Sequence, residues 1–370
     1  MVLDVEAGDI LPAKEAIEIM DQVDLGPTID VPPIPEEAFS ENIPEDEKEF
    51  YRNEIKRLKE ERNALILSHN YVPSDIQELS DVVGDSLFLA QQGADSDADY
   101  LIEATVLFMN QMLAALKKSH QTVLAPDLGA LCSLAAHADV SKIKKWKEQH
   151  TNGVVISYVN TYLEVKAESD FCCASANAGK VTLHVLKNTN SEQPILFLPD
   201  VFLGFYAAKL LESEGHSLDR LHLMMGACHV HERIRPHHVM EQQKAHPEAI
   251  TVVHPECGCT SACMRQVNEG VVPEDLLQFR STQGMIKLVS EVPQDEVIVA
   301  TEVGNLHPMS KAVPDKTLIP ASKEALCSYM KQNTLKNLYE CLRDLKYEIN
   351  VDAELAKRAR IPIERMLEIV

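Results

Sequence analysis

The residues best suited to chemistry are three cysteines that recur at nearly equal spacing. Cys132, Cys228 and Cys327 lie 96 and 99 residues apart, after the runs "TVLAPDLGALC", "LHLMMGAC" and "TLIPASKEALC". Three thiolates brought to one point could hold three irons of a 4Fe-4S cluster and leave the fourth iron open to substrate as a Lewis acid. Each could instead be an ordinary buried thiol, which is common for free cysteine. The matched spacing favours the cluster.

A second series of polar residues has a similar period. His69, Tyr158 and His254 lie near the ends of the runs "LILSHNY", "VVISYVN" and "ITVVHPE", 89 and 96 residues apart. Glu256 lies two residues beyond His254, on the same side of an extended strand, and is a candidate general base. His231 in "GACHVHER" could bind anions or move protons, although most of the 14 histidines are expected at the surface or in satisfied core positions.

Small hydroxyl residues form a third, looser series where a strand gives way to a helix. They are Ser86 in "GDSLFLA", Ser175 in "ASANAGKV", and Ser281 with Thr282 in "RSTQGMIKL". The N–H groups and positive dipole end of a helix N-terminus could hold a carboxylate or a phosphate there. Ordinary N-capping explains each residue, taken singly, about as well. The chain has no G-x-G-x-x-G or Walker motif, so nucleotide use is not predicted.

One tight thiol motif competes with the long-range series. "CGCTSAC" places Cys257, Cys259 and Cys263 within seven residues, and such clusters are the usual local signal for zinc or iron-sulfur binding. The motif occurs only once and could supply a second metal, a redox-active thiol pair or nothing. A zinc protein organised by this motif is therefore one alternative. The nine cysteines are an odd number in a long chain, so a disulfide framework is not expected.

The elements that must position these residues follow from the alternation of short aliphatic runs with helical patterns. Runs of four to six apolar residues between helices are typical of buried parallel strands joined by helical crossovers. The shared period predicts three similar α/β/α domains with short parallel sheets, arranged in a pseudo-threefold triangle around a central cavity. Ligands of open parallel sheets bind at the carboxyl ends of the strands, so the three series would meet in that cavity.

The predicted domain organisation has five parts. Residues 1–50 form an acidic, proline-containing extension that we expect to be mobile or loosely docked, although some of its short apolar runs could pack on the body. Three α/β repeats follow at 51–147, 148–245 and 246–345, and residues 346–370 form a C-terminal helical segment. The extension holds six prolines and has a net charge of -13, more than half of the -22 of the whole chain.

The remaining composition excludes several classes of partner. The body of the 370-residue chain is mildly acidic and has no basic tract, which argues against nucleic acid and against an anionic membrane surface. No apolar run approaches the roughly 20 residues needed to cross a bilayer, and the N-terminus does not resemble a signal peptide. These features predict a cytoplasmic protein.

The motifs together resemble those of the quinolinate synthase family of bacterial NAD biosynthesis, from about residue 55 to the C-terminus. The resemblance is carried, in order, by "SHNYVPSDIQELSDVVGDSLFLA", "VLFMNQM", "APDLGALCSLA", "SYVNTYLEVKAESD", "CASANA", "FLPDVFLG", "GACHVHERI", "VVHPECGC", "STQGM", "ATEVGNLH" and "CSYMKQNTLKNL". It implies three α/β domains in a triangle and a 4Fe-4S cluster ligated by Cys132, Cys228 and Cys327. The implied reaction, of a transferase type, condenses iminoaspartate with dihydroxyacetone phosphate to quinolinate and releases phosphate and two waters.

The resemblance also implies roles for individual side chains. Those that would line the cavity are His69, Tyr71, Tyr158, Asn160, His231, His254 and Glu256. Those that would hold the phosphate and carboxylates are Ser86, Ser175, Ser281 and Thr282. Tyr71 and Glu256 are the expected proton-transfer groups, with His231 beside them. By the same analogy an l-aspartate oxidase or dehydrogenase would supply the iminoaspartate, and "CGCTSAC" is similar to a variant in longer members whose extra thiols could tune activity by redox state.

Two further classes of protein share parts of this pattern. Diphthamide-type radical enzymes also have three α/β domains and three central cysteines, but they cleave S-adenosylmethionine. The motifs "HNY", "YVN" and "HPE" suit a small polyanionic substrate and favour the synthase. A non-enzymatic iron-sulfur sensor would normally need a DNA-binding element, and no basic recognition helix is visible in the sequence.

Overall fold

The computed structural model describes residues 5–369 as three β-sheets flanked by helices. The strands are β1 (Ile10–Pro12), β2 (Ala64–His69), β3 (Val82–Gly84), β4 (Tyr100–Ala104), β5 (Thr122–Leu124), β6 (Val154–Tyr158), β7 (Phe171–Cys173), β8 (Ile195–Leu198), β9 (Leu221–Met224), β10 (Ile250–Val253), β11 (Leu277–Phe279), β12 (Glu296–Ala300) and β13 (Thr317–Pro320). The helices are α1 (Ala13–Ile19), α2 (Glu45–Glu61), α3 (Ser74–Leu79), α4 (Ser86–Asp95), α5 (Leu107–Leu116), α6 (Ser133–His137), α7 (Val140–Gln149), α8 (Leu163–Lys166), α9 (Ala178–Asn188), α10 (Val201–Ser213), α11 (Pro236–Ala245), α12 (Thr260–Asn268), α13 (Thr282–Glu291), α14 (Leu306–Ala312), α15 (Leu335–Asp344) and α16 (Ala353–Glu368).

The three sheets repeat one topology. Their strand orders are β3-β2-β4-β5, β7-β6-β8-β9 and β11-β10-β12-β13, and all of these neighbours pair in parallel. In each of these four-strand orders, the first strand along the chain therefore takes the second position and the next strand takes the edge beside it. The last two strands take the third and fourth positions. The predicted α/β class with short parallel sheets is confirmed.

The parallel strands form where the sequence has short aliphatic runs, as is typical of strands whose two faces are both buried. Strand β8 is fully buried along its whole length. Leu196 and Leu198 of this strand belong to a core cluster that also contains Val155, Trp146 and Ile143. Such burial on both faces explains why the strands read as continuous apolar runs rather than as alternating patterns.

The N-terminal extension differs from the sequence prediction. Strand β1 adds a fifth, antiparallel strand to the second sheet, where Ile10 pairs with Met224 and Leu11 with Leu223. Residues 13, 16, 20 and 25 bury their apolar side chains almost completely. The short apolar runs of this part therefore pack on the body, as the sequence allowed, and it is not a mobile or loosely docked segment, because a short helical spacing of apolar residues outweighs the acidic average composition.

The chain divides into two compact units. The first comprises residues 1–29, 133–325 and 358–370, and the second comprises residues 30–132 and 326–357. The first unit contains the second and third sheets, and the second unit contains the first sheet. The predicted repeat boundaries stay predictions of the sequence. Among residues 5–369, no helix is both long enough and apolar enough to span a bilayer.

Candidate functional site

In the first compact unit, a buried polar cluster forms at the carboxyl ends of strands β6, β10 and β12. Tyr158 is the last residue of β6, and its hydroxyl donates a hydrogen bond of 2.5 Å to Oε1 of Glu256. His254 follows β10 directly, and its Nδ1 lies 3.8 Å from the same carboxylate oxygen. All three side chains are at most 5% exposed. We call Tyr158, His231, His254, Glu256 and Thr301 the strand-end cluster.

His231 connects the two sides of the strand-end cluster. Its Nδ1 lies 3.3 Å from Oε2 of Glu256, and its Nε2 lies 3.0 Å from the hydroxyl of Thr301, which follows β12. Its ring stacks on that of His254 with centroids 4.7 Å apart and planes 13° apart. A continuous polar chain therefore runs from Thr301 through His231 and Glu256 to Tyr158.

The two imidazoles of the strand-end cluster have pKa values shifted in opposite directions. Burial lowers the pKa of His254 to about 3, so this ring is neutral at pH 7. Burial also opposes the charge on His231, but the neighbouring Cys228 sulfur and Glu256 carboxylate outweigh it and raise the pKa of His231. Burial would raise the pKa of Glu256, yet its histidine neighbours and the Tyr158 hydroxyl lower it overall. Because a neutral His254 brings no charge, the charged partner of Glu256 is His231.

Cys228 lies on the loop that carries His231. Its sulfur, a His231 ring nitrogen and a Glu256 oxygen all lie within 4.8 Å of one another, and this is the one such group of three candidate metal ligands among residues 5–369. Cys228 and the strand-end cluster together supply a thiol, a charged carboxylate–imidazole pair and a phenol. Such a set can hold a metal group, bind an anion and move a proton.

Asp200 is a buried acid beside this cluster. Its Oδ1 accepts a hydrogen bond of 2.8 Å from the Leu203 N–H and so caps helix α10. Burial and the nearby negative charge of Glu256 raise the pKa of Asp200 well above its usual range. Its backbone forms a parallel bridge with Gly226, two residues before Cys228. Asp200 therefore joins the end of β8 to the loop that carries the thiol.

The second compact unit contains the residues predicted from the "HNY" motif. His69 ends strand β2, and its Nδ1 accepts a hydrogen bond of 3.2 Å from the Tyr71 N–H. The two rings meet edge to face with centroids 4.4 Å apart. The buried Lys331 ammonium donates a hydrogen bond to the Tyr71 carbonyl oxygen. An imidazole, a phenol and a cation are therefore gathered at this strand end.

The nine cysteines fall into two groups by exposure. Cys132, Cys228 and Cys327 are partly exposed, and the other six are buried. In the first unit, the Ser133 hydroxyl lies 2.8 Å from Nδ1 of His229. These two residues directly follow Cys132 and Cys228 in the chain.

The "CGCTSAC" thiols have a different environment from the spaced cysteines. Cys257, Cys259 and Cys263 are each at most 1% exposed. Burial raises the pKa of the Cys257 thiol, and the neighbouring Cys257 sulfur raises that of Cys259. The Cys257 thiol also donates a hydrogen bond of 3.3 Å to the Ala300 carbonyl oxygen. These features favour neutral core thiols over thiolate ligands.

The hydroxyl series occupies several different positions at helix starts. Ser281 is the N-cap of α13 and accepts a hydrogen bond of 3.2 Å from the Gly284 N–H, while Thr282 is the first residue of that helix. Ser86 is the first residue of α4, whose cap is the Asp85 carboxylate rather than a hydroxyl. Ser175 lies in the turn before α9.

The buried side-chain oxygen of Asn160 has no hydrogen-bond partner among the described residues, as expected for a group that contacts a ligand.

Three residues of these sites are not predicted from the sequence: Thr301, Lys331 and Asp200. Thr301 and Asp200 follow the apolar runs "VIVA" and "ILFLP", so both are identifiable from the sequence as strand-end residues in the same way as His69. Lys331 in "MKQN" has no local signal, because an ordinary surface lysine has the same sequence context.

Comparison with known proteins agrees with these observations. The family model described as quinolinate synthetase A protein matches residues 53–368. Quinolinate synthases of Pyrobaculum aerophilum and Thermus thermophilus are each 40% identical to this chain, over 86% and 87% of it and over 99% and 98% of their own lengths. The quinolinate synthase of Mycobacterium tuberculosis is 37% identical over 88% of this chain and 90% of its own length.

The fold and the site define an α/β enzyme that gathers polar side chains at the carboxyl ends of parallel strands. The chain belongs to the quinolinate synthetase A family, whose members act in NAD biosynthesis.

Proposed function

We propose that this chain condenses iminoaspartate with dihydroxyacetone phosphate to give quinolinate, one phosphate and two waters, with a 4Fe-4S cluster ligated by Cys132, Cys228 and Cys327. The observation that carries the proposal is the exposure of the cysteines. Only the three that recur at the period of the fold are partly exposed, while the other six are buried. A cluster ligand must be reachable, whereas a packing thiol is stable when it is excluded from water.

The donor set fits such a cluster. Three thiol sulfurs satisfy three irons, and the fourth iron, when the cluster is bound, supplies a Lewis acid for the loss of a hydroxyl as water. His231 beside Cys228 favours an anionic sulfur at this position, because its positive charge is close to the thiol.

The strand-end cluster supplies the proton chemistry. Glu256 is held as a carboxylate by His231 and by the short hydrogen bond from Tyr158. A carboxylate fixed in this way can remove a proton from carbon or from the imine nitrogen during condensation and ring closure. Tyr71, in the second unit, is the phenol that we assign to a further proton transfer.

Anion binding completes the proposal. Both substrates are anionic, with two carboxylates on one and a phosphate on the other. His69, Tyr158, Asn160 and His254 would contact them at the strand ends. The residues that would hold the phosphate and carboxylates through hydroxyl groups and helix N–H groups are Ser86, Ser175, Ser281 and Thr282.

The first test is chemical analysis of an anaerobic preparation, with iron, sulfide and quinolinate formation measured together. We expect about four irons and four sulfides per chain, as the cluster formula requires, and quinolinate from the two substrates. Cleavage of S-adenosylmethionine without quinolinate would refute the synthase assignment. Zinc without sulfide would refute the cluster.

A matched pair of cysteine variants tests the ligands. Cys228→Ala should lose the cluster, since two thiols hold it poorly, while Cys172→Ala in buried strand β7 should retain it and lose roughly 1 kcal/mol of stability. A full cluster in Cys228→Ala would contradict the ligand assignment.

Glu256→Gln should keep the cluster and lose turnover, and unchanged turnover in this variant would contradict its role as base.

A further inference from the structure

The N-terminal segment makes hydrogen bonds to the loop that carries Cys228 and His231. We call residues 225–232, between β9 and α11, the Cys228 loop. At its start, the Gly8 N–H donates to the Met225 carbonyl oxygen and the Met225 N–H donates to the Asp9 carbonyl oxygen, both at 2.7 Å. These bonds continue the antiparallel pairing of β1 with β9 as far as the loop.

Two adjacent residues of the segment reach the middle and the end of the same loop. The His137 ring lies between Gly26 of the segment and Ala227 of the loop. Its Nε2 is 3.3 Å from the Gly26 carbonyl oxygen, and its Nδ1 accepts a hydrogen bond of 3.1 Å from the Ala227 N–H. A neutral imidazole has one donor and one acceptor, which matches these two partners. The Leu25 N–H donates to Oε1 of the buried Glu232 at 3.0 Å. Ala227, next to Cys228, is therefore connected to the segment through His137, and Glu232, next to His231, is bonded to it directly.

The segment is anchored firmly enough to hold the loop. The apolar side chains of Ala13, Ala16, Met20 and Leu25 are at most 1% exposed. The Ser261 hydroxyl donates a hydrogen bond of 2.6 Å to the Asp21 carboxylate. A segment buried in this way can transmit its position to the loop, because its release would expose apolar surface to water.

The segment lies outside the region that the chain shares with its family. The family model begins at residue 53, and two relatives match over 98–99% of their own lengths while covering 86–87% of this chain. The hydrogen bonds to the Cys228 loop are therefore an addition to the shared part of the protein.

We propose that residues 8–26 are a positioning element of the site, which holds the Cys228 loop so that Cys228 and His231 keep the orientation needed for turnover. The residues that transmit this effect are His137 and Glu232. The link to turnover rests on the proposed function, whereas the link to the loop rests only on the contacts within the first unit.

Hydrogen exchange of the isolated full-length holoenzyme measures the loop directly. His137→Phe keeps a ring of similar size but removes both bridging bonds, and Glu232→Leu removes the acceptor for the Leu25 N–H. Each should speed amide exchange across residues 225–232 on the order of tenfold. Glu232→Gln keeps an acceptor oxygen and should exchange as the parent does. Lys14→Ala, which removes only an exposed ion pair with Asp219, is the second control.

Iron content and turnover are measured on the same preparations. We expect His137→Phe and Glu232→Leu to lower kcat about tenfold, to lose iron faster and to leave KM within about twofold, since the loop is loosened but substrate-binding groups remain. Unchanged loop exchange in both variants would overturn the proposal. Faster exchange with unchanged kcat and iron retention would also overturn it, because the segment would then stabilise without positioning.

Three further outcomes keep the test decisive. Faster exchange in Glu232→Gln equal to that in Glu232→Leu would show that charge rather than the acceptor matters, which also overturns the proposal. If His137→Phe fails to fold, Glu232→Leu carries the test alone. Absence of quinolinate formation by the parent protein would refute the proposed function, while the exchange data would still test the connection between segment and loop.

Discussion

The variant Glu103→Gln tests whether a buried carboxyl group near a strand end makes the free energy of unfolding depend on pH. Glu103 lies in β4 and is completely buried. Its Oε2 accepts a hydrogen bond of 3.0 Å from the Asn110 side chain, while Oε1 has no hydrogen-bond partner among residues 5–369. Burial raises the pKa of this carboxyl from 4.5 to about 8, and the single hydrogen bond from Asn110 offsets only part of that effect.

The direction of the pH effect on stability depends on whether the folded or the unfolded chain binds the proton more tightly. Between pH 4.5 and about 8, folded Glu103 keeps a proton that the unfolded chain has lost. Its contribution to stability is therefore fully present below pH 4.5 and is lost as the pH rises towards 8. The loss is about 1.4 kcal/mol per pH unit, so it amounts to about 3 kcal/mol between pH 5.5 and 7.5. Glutamine cannot ionise and avoids this loss.

Urea unfolding followed by circular dichroism at pH 5.5 and 7.5 measures the difference. We expect the free energy of unfolding of the parent to fall by about 3 kcal/mol more than that of Glu103→Gln over this range. Any cost of an unsatisfied glutamine amide is the same at both pH values and cancels. Glu60→Gln, at an exposed position of α2, is the control and should follow the parent. Equal pH dependence of the parent and Glu103→Gln would refute the reasoning.

Three other predictions concern the strand-end cluster and its loop. Tyr158→Phe removes the 2.5 Å hydrogen bond to the proposed base and should lower kcat/KM on the order of tenfold to a hundredfold in the quinolinate assay. Thr301→Val removes the 3.0 Å contact to His231 and should lower kcat on the order of tenfold, with recovery in Thr301→Ser. Gly226→Ala would place a Cβ 2.5 Å from a backbone oxygen and should cost about 2–3 kcal/mol in urea unfolding, whereas Gly26→Ala, with no neighbour closer than 3.7 Å, should be neutral.

The polar residues at the strand ends are predictable from the sequence, because their positions depend only on a local apolar pattern and on the geometry of parallel sheets. His69 and Tyr158 end their strands, and His254 follows its strand directly, as the apolar runs before them predict. A buried acid near a strand end of each sheet follows the same local pattern. Glu103, Asp200 and Glu302 lie 97 and 102 residues apart and are at most 1% exposed.

Average composition predicts the structure of the N-terminal extension less well. The acidic, proline-containing start of the chain predicts a loose extension, yet it pairs with β9 and buries Met20 and Leu25. The hydroxyl series was only partly informative about capping, since Ser281 caps its helix and Ser86 lies beside the Asp85 cap. A hydroxyl near a helix start does not specify which residue supplies the cap, because a neighbouring Asp or Asn caps a helix as well as Ser does.

The sequence by itself determined the class of fold, the threefold repetition of its topology and the family, because each depends on local patterns that recur along the chain. Only the tertiary structure decided which of those residues interact. Glu256 takes Tyr158 and His231 as partners, and Leu25 binds Glu232 across 207 positions of the chain. Such pairs depend on how separate strands and loops pack, and neither spacing nor composition records that packing.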